Sequence, residues 1–328
     1  MLLYGGLSLV LEPKNAVIPE TPKLRPGNLV EVKSAKEILT TLDDRGTLDG
    51  LPFMPEMVAL CGKRFRVSLR VVKTCFYGES SGMRKFPSED VVLLDEVRCS
   101  GADHDGCQKA CRIFWKEAWL RAIEDVNAAA AVSDGSERLK AALKPVAGPK
   151  KYFCQSSEIL NATAALSRWE KIRKCFEDVW FGNCGVFEMT HRIGVWLYWR
   201  VRRKLFGPYG RGEKIATPSE SLYLQPGEFV EVKSMNNIRE TLDERAFNRG
   251  LFFTPSMKNL CGQRRRVERK IERIIVDGTG EMRMLRNTVY LDGDLCGCSC
   301  AALGGCPRGE FSYWREIWLR RVKNTSQE

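Results

Sequence analysis

Cys296, Cys298, Cys300 and Cys306 fall within eleven residues near the C-terminal end of the chain, and Cys99, Cys107 and Cys111 form a second close group in its first half. Thiols this close together suit a metal site, because a tetrahedral ion such as zinc takes four thiolate or imidazole ligands, often a tight group joined by a distant one. The late cysteines lie among Gly, Ser, Asp and Pro, in sequence that reads as loop rather than core. Each group has an earlier companion followed by glycine, Cys61-Gly62 and Cys261-Gly262. Two ligand sets are therefore expected: Cys61, Cys99, Cys107 and Cys111 in one, and Cys261, Cys296 and Cys306 with either Cys298 or Cys300 in the other. Zinc at two sites is the first expectation, an iron–sulfur cluster the second. His104 is an alternative ligand in the first set only. Cys75 has no counterpart and reads as a core residue.

General base chemistry at neutral pH usually recruits histidine. This chain has two, His104 and His191, at unrelated places. No glycine-rich phosphate loop is present, since "DGTGEMR" (Asp277 to Arg283) sits between two β-like runs and reads as a hairpin turn. No catalytic residues are assigned. A metalloenzyme would need a thiolate site with an open position, and four protein ligands would close it.

The elements that must hold these cysteines repeat. The stretch from Arg25 to Val67 aligns without gaps to that from Gln225 to Val267 with 23 identities over 43 positions. Similarity returns where "FWKEAWLRA" matches "YWREIWLRR". The implied organisation is an N-terminal lead (1–23), a first module (24–124), a linker and helical middle region (125–222), a second module (223–323) and a tail (324–328). In each module Pro-Gly opens a short alternating strand. Ser34 with Glu37 spells a capping box for a helix starting at Ala35, weakened in the second module by Asn237. Pro55 suits the first turn of a helix and Gly62 its C-terminal cap. "KRFRVSLRVVKTCF" and "DVVLLDEV" read as strands. The closing "IFWKEAWLRAIEDV" reads as a helix with Trp115 and Trp119 on one face and Glu117 and Arg121 paired along it. The fold class expected is α+β: two homologous, small, barrel-like modules with helices, joined by a partly helical middle region.

The strand that follows Pro26-Gly27 and Pro226-Gly227 resembles the first strand of SH3-like barrels of the KOW and Tudor kind, which implies a small barrel. Each module as a whole is similar to a family of bacterial modules that share Pro-Gly, Val-Glu-Val, Phe-x-Pro-x-Met, Cys-Gly and a closing Trp-(Lys/Arg)-Glu-x-Trp-Leu. That resemblance bears on boundaries and carries no activity.

Lys and Arg number 52 against 41 Asp and Glu, a net charge of +11 that favours acidic partners. Basic residues concentrate at Arg264, Arg265 and Arg266, and at Arg200, Arg202, Arg203 and Lys204, where Trp196, Tyr198 and Trp199 are interleaved. Such mixtures bind phosphates and stack bases, or settle on an anionic membrane surface. The leading expectation is a non-enzymatic, zinc-stapled tandem-module protein that binds nucleic acid. The alternatives are a thiolate-metal enzyme or accessory protein of a bacterial biosynthetic pathway, and a scaffold that meets a protein partner through its tryptophan helices. The apolar N-terminus lacks a basic lead and a clear cleavage site, and no long uninterrupted apolar run occurs, so a cytoplasmic protein with reduced cysteines is expected.

Overall fold

The computed structural model describes residues 23–76, 82–123, 135–296 and 299–322. Residues 1–22 of the N-terminal lead, the tail and Cys298 lie outside them. The chain is a mixed α+β structure dominated by antiparallel pairing. The first half builds a five-stranded sheet from β1 (Leu29–Val32), β2 (Arg64–Arg70), β3 (Val91–Arg98), β4 (Arg112–Lys116) and β5 (Leu120–Ala122), in the order β4-β3-β2-β1-β5. The second half builds another from β6 (Phe229–Val232), β7 (Arg264–Lys270), β8 (Thr288–Leu291), β9 (Trp314–Arg315) and β10 (Leu319–Arg321), in the order β9-β8-β7-β6-β10.

The registers correspond as well. Leu29 faces Arg66 as Phe229 faces Arg266, and each sheet shifts register once on its second strand, between Val67 and Leu69 or Val267 and Arg269. Such a shift bends the strand and helps an open sheet to curl. Between first and second strands runs a 3-10 helix, Pro55–Leu60 or Pro255–Leu260, each with proline in its first turn. Gly62, at φ +74°, takes the left-handed turn that follows. The capping box of Ser34 and Glu37 forms, whereas Ser234 has Asn237 in place of the acid.

The closing segments are not helices. Trp115 lies one residue before the end of a strand, a single 3-10 turn carries Trp119 (Glu117–Trp119), and β5 follows at once. Extended backbone on either side of the turn lets both indoles enter the core of the first half. Trp115 and Trp119 pack edge-on against Phe53 at 6.2 and 5.2 Å, and Trp314 and Trp318 against Phe253 at 6.2 and 5.3 Å. All four indoles are fully buried, so they form no partner surface. Thr41 Oγ1 accepts from Trp119 Nε1 at 3.1 Å, and Thr241 Oγ1 from Trp318 Nε1 at 3.0 Å. Glu117 does not pair with Arg121: it accepts from Arg70 Nη1 at 2.6 Å and Leu24 N at 2.6 Å, while Arg121 turns to Glu31 and Glu37.

The stretch after residue 134, expected as linker, is built into the first half. Leu139, Leu143, Cys154, Ile159 and Ala162 join its hydrophobic core. Gln155 behaves like a strand residue beside β4, accepting from Phe114 N at 2.8 Å and donating to Phe114 O at 2.8 Å. Two helices follow, α1 (Arg168–Trp180) and α2 (Val186–Phe206). The first of them starts at Arg168, where Ser167 and Glu170 form a capping box. The "DGTGEMR" hairpin joins strands Arg273–Ile275 and Met282–Met284 as expected, and "KRFRVSLRVVKTCF" divides between β2 and a separate strand, Thr74–Phe76. Among the described residues no helix is long and apolar enough to cross a membrane.

A buried charge cluster joins the halves. Lys109 Nζ lies 2.5 Å from Asp277 Oδ1 and 3.5 Å from Glu310 Oε1. Arg308 reaches Asp277 Oδ2 at 2.9 Å and Glu310 Oε1 at 2.5 Å. Burial alone would raise the Asp277 carboxyl, but Arg308 and Lys109 hold it well below the usual range. Ser156 adds a hydrogen bond to the same carboxylate.

Candidate metal centre

Glu56 enters on the first turn of the 3-10 helix Pro55–Leu60, Cys99 just after β3, and His104 from the tight turn that follows. Gly101 makes that turn possible: its φ is +72°, and a Cβ there would lie 1.9 Å from the Cys107 carbonyl oxygen. One ligand atom from each of the three side chains lies within 4.8 Å of the others, and among the described residues this is the group of three or more such ligands.

The hydrogen bonding within it is incomplete in an informative way. Cys99 Sγ donates to Glu56 Oε1 at 2.8 Å. His104 Nε2 lies 3.1 Å from the Phe153 carbonyl oxygen, which can only accept, so the proton belongs on Nε2. Nδ1 then carries a lone pair. It faces Glu56 Oε2 at 3.6 Å, and both atoms are buried without a hydrogen-bond partner among the described residues. Two buried acceptors turned toward each other are costly unless a proton or a cation lies between them. A ring whose second nitrogen donates to a backbone carbonyl is also how metal-bound histidines are commonly held. Burial, and then the Glu56 charge, pushes the Cys99 thiol far above the usual range, so its thiolate needs a cation beside it to form.

Beside this group is a cavity of about 20 Å³ lined by Cys99, His104, Cys107, Cys111, Cys154 and Lys109, among others. That volume suits one ion or one water and is far below the several hundred Å³ of a small-molecule site. Burial raises Cys111 to about 12 and Cys154 to about 11. Cys107 Sγ accepts from Ile275 N at 3.3 Å, bringing the second half to the cavity wall.

The expected first set is thus gathered in part. Cys99 is in the ligand group, and Cys107 and Cys111 line the adjoining cavity. Cys61 belongs to no group of three or more ligands among the described residues. It caps the C-terminal end of the same 3-10 helix and is buried in the core. With about three residues per turn, position 61 lies on a different face from position 56.

The expected second set is not gathered among the described residues. Cys261 packs at the edge of the second core. Cys300 hydrogen-bonds with Ser256, which stands where the first half has Glu56, and burial raises its thiol. Cys296 and Cys306 pack against Cys75 in a small cluster with Met83, Leu166 and Ala302, and Cys306 Sγ lies 2.8 Å from Cys75 Sγ. Cys75, read as plain core, therefore meets cysteines of the other half.

The basic residues fall on two separate surfaces. Arg264 and Arg266 project to solvent from one face of β7, and Arg265 is half-buried on the other, donating to Gln263 at 2.7 Å. Arg266 has Asp292 at 3.7 Å, and the exposed Phe229 is its cross-strand neighbour. On α2, Arg202 is half-buried over the Trp199 and Tyr209 rings, while Arg200, Arg203 and Lys204 face solvent.

Comparison with protein-family models, with curated proteins and with solved structures finds no match to this chain.

Proposed function

We propose that this is a non-enzymatic binding protein of two modules related by duplication, in which a zinc ion held by Glu56, Cys99 and His104 fixes the loop end of the first module. One observation carries the reading: His104 Nδ1 and Glu56 Oε2 face each other 3.6 Å apart, buried and without a hydrogen-bond partner among the described residues. The mixed sulfur, nitrogen and oxygen donor set fits zinc. Cys107, Cys111 and Cys154 lie near enough to the cavity to supply a fourth thiolate. A cavity of about 20 Å³ has no room for a substrate, which supports a structural role over catalysis. Among the described residues Cys261, Cys296, Cys300 and Cys306 form no such ligand group, so the reading keeps the one site in the first module. Identical strand orders and corresponding registers support duplication.

The partner we propose is single-stranded nucleic acid at the outer face of β6 and β7. Arg264 and Arg266 there can meet phosphates, and the exposed Phe229 can stack a base. Fluorescence anisotropy with a single-stranded RNA oligonucleotide tests this. R264A/R266A is expected to weaken binding about tenfold and to lower the salt slope by about two. Binding that is unchanged in the variant, or insensitive to salt, rejects this partner.

A further inference from the structure

Helices α1 and α2 carry apolar side chains on the outside. On α1, Trp169, Ile172, Phe176 and Trp180 recur every three or four residues and so share one face, with Trp169 81% and Trp180 73% exposed. On α2, Ile193, Leu197, Val201 and Leu205 recur every four residues and are all exposed. Phe187, at 93%, and Tyr198 flank them. The hairpin is anchored through α1 and the turn that follows it: Lys73 pairs with Asp178 at 2.7 Å, and the Asn183 side-chain amide clamps the Arg70 backbone at 2.8 and 2.7 Å. The outward faces are therefore held outward. Exposed apolar faces of this kind, one along each helix, mark an interaction site.

Charge selects the occupant. Along α2 stand Arg192, Arg200, Arg202, Arg203 and Lys204 against one acid, Glu188, which pairs with Arg192. The other four have no carboxylate partner among the described residues. Arg200 and Lys204 border the aliphatic stripe, and Trp and Tyr side chains flank it. Nucleic acid would satisfy the cations but not Ile193, Leu197, Val201 and Leu205, which have no ring face to stack bases. A second copy would set the same excess of cations against itself. An anionic bilayer surface satisfies both features: acyl chains take the aliphatic residues, the headgroup level takes Trp and Tyr, and anionic lipids take the cations.

We propose that the α1–α2 hairpin is an interfacial element that lies on an anionic lipid surface, its axes parallel to the bilayer and its apolar stripe sunk among the headgroups. The helices are too charged to cross, so the binding is peripheral and reversible. It does not depend on the metal site or on the β7 surface.

Flotation of the full chain with vesicles of phosphatidylcholine, alone or with roughly a third phosphatidylserine, tests it. Binding to the mixed vesicles is expected to be at least about tenfold tighter and to weaken as salt rises. F176E/L197E changes two exposed positions, is expected to leave the circular dichroism spectrum intact, and should abolish it. R200E/K204E should lower affinity by more than about twentyfold. Equal binding to both vesicle types, no binding to either, or full binding by F176E/L197E overturns the proposal. So does a wild-type dimer that F176E/L197E converts to monomer without loss on vesicles, or RNA binding that R200E/K204E abolishes and F176E/L197E leaves intact.

Discussion

Glu56 and Ser256 occupy the same turn of the same 3-10 helix in two halves whose sheets share one strand order. Glu56 meets a thiol and an imidazole, whereas Ser256 meets the thiol of Cys300. The fold around them hardly differs: each half closes its core with two buried tryptophans set edge-on against one phenylalanine. The matching strand order and tryptophan packing do not require the Glu56, Cys99 and His104 group, which lies at the loop end of one sheet. Chemistry carried on loops and held by a rigid sheet can be gained or lost without disturbing the core.

The largest expected effect sharpens this contrast. Removal of metal by a strong chelator, or the H104A substitution, should lower the thermal midpoint by about 10 °C or more, since binding to the native state alone adds directly to stability. C300S at the matched contact should move it by no more than about 2 °C. Differential scanning calorimetry of the three samples decides, and equal shifts for H104A and C300S would break the contrast.

Where the halves agree, matched substitutions should agree. W115A and W314A each empty a fully buried indole site and should cost about 3–5 kcal/mol in urea unfolding. A difference between them of more than about 2 kcal/mol would mean that one core depends on its site.

Asp277 tests the lock between the halves. D277N leaves Lys109 and Arg308 facing a neutral amide and should cost about 3 kcal/mol at pH 7. The folded-state pKa of Asp277 is depressed, so its contribution is fully present above the unfolded carboxylate value of about 4 and is lost as pH falls below it. The gap between wild type and D277N should therefore hold from pH 7 to 5 and close below about pH 4. A gap that closes near neutrality contradicts the assignment.

The smallest expected effect compares the caps. S34A removes a complete capping box and should cost about 1 kcal/mol. S234A, lacking the acid, should cost about 0.5 kcal/mol.

Much of this was legible in residue order. The aligned Pro-Gly, Val-Glu-Val and Cys-Gly stretches lead directly to the matching strands, and Ser34 with Glu37 to a real cap. The closing tryptophans were misread because a spacing of four fits a helix face and equally fits a strand end followed by one 3-10 turn. Burial against Phe53, a contact distant in sequence, settles between them. The α1–α2 apolar faces also escaped, since periodicity shows that a face exists and not whether anything covers it.

The candidate metal group was half legible. Cysteine counting found Cys99, and His104 was held as an alternative. Glu56 gives no such signal, because the cysteine pattern rests on residues common to both halves and Glu56 stands opposite Ser256. The better signal was joint divergence: Glu56 against Ser256, and His104 against no histidine, two metal-capable side chains in the same half.

Metal content of the purified chain tests the central claim most directly. Inductively coupled plasma mass spectrometry should give about one zinc per chain for the wild type and for C300S, and well below half that for E56A and H104A, each still folded by circular dichroism. A wild-type chain without metal, or one whose zinc survives both E56A and H104A, would contradict it.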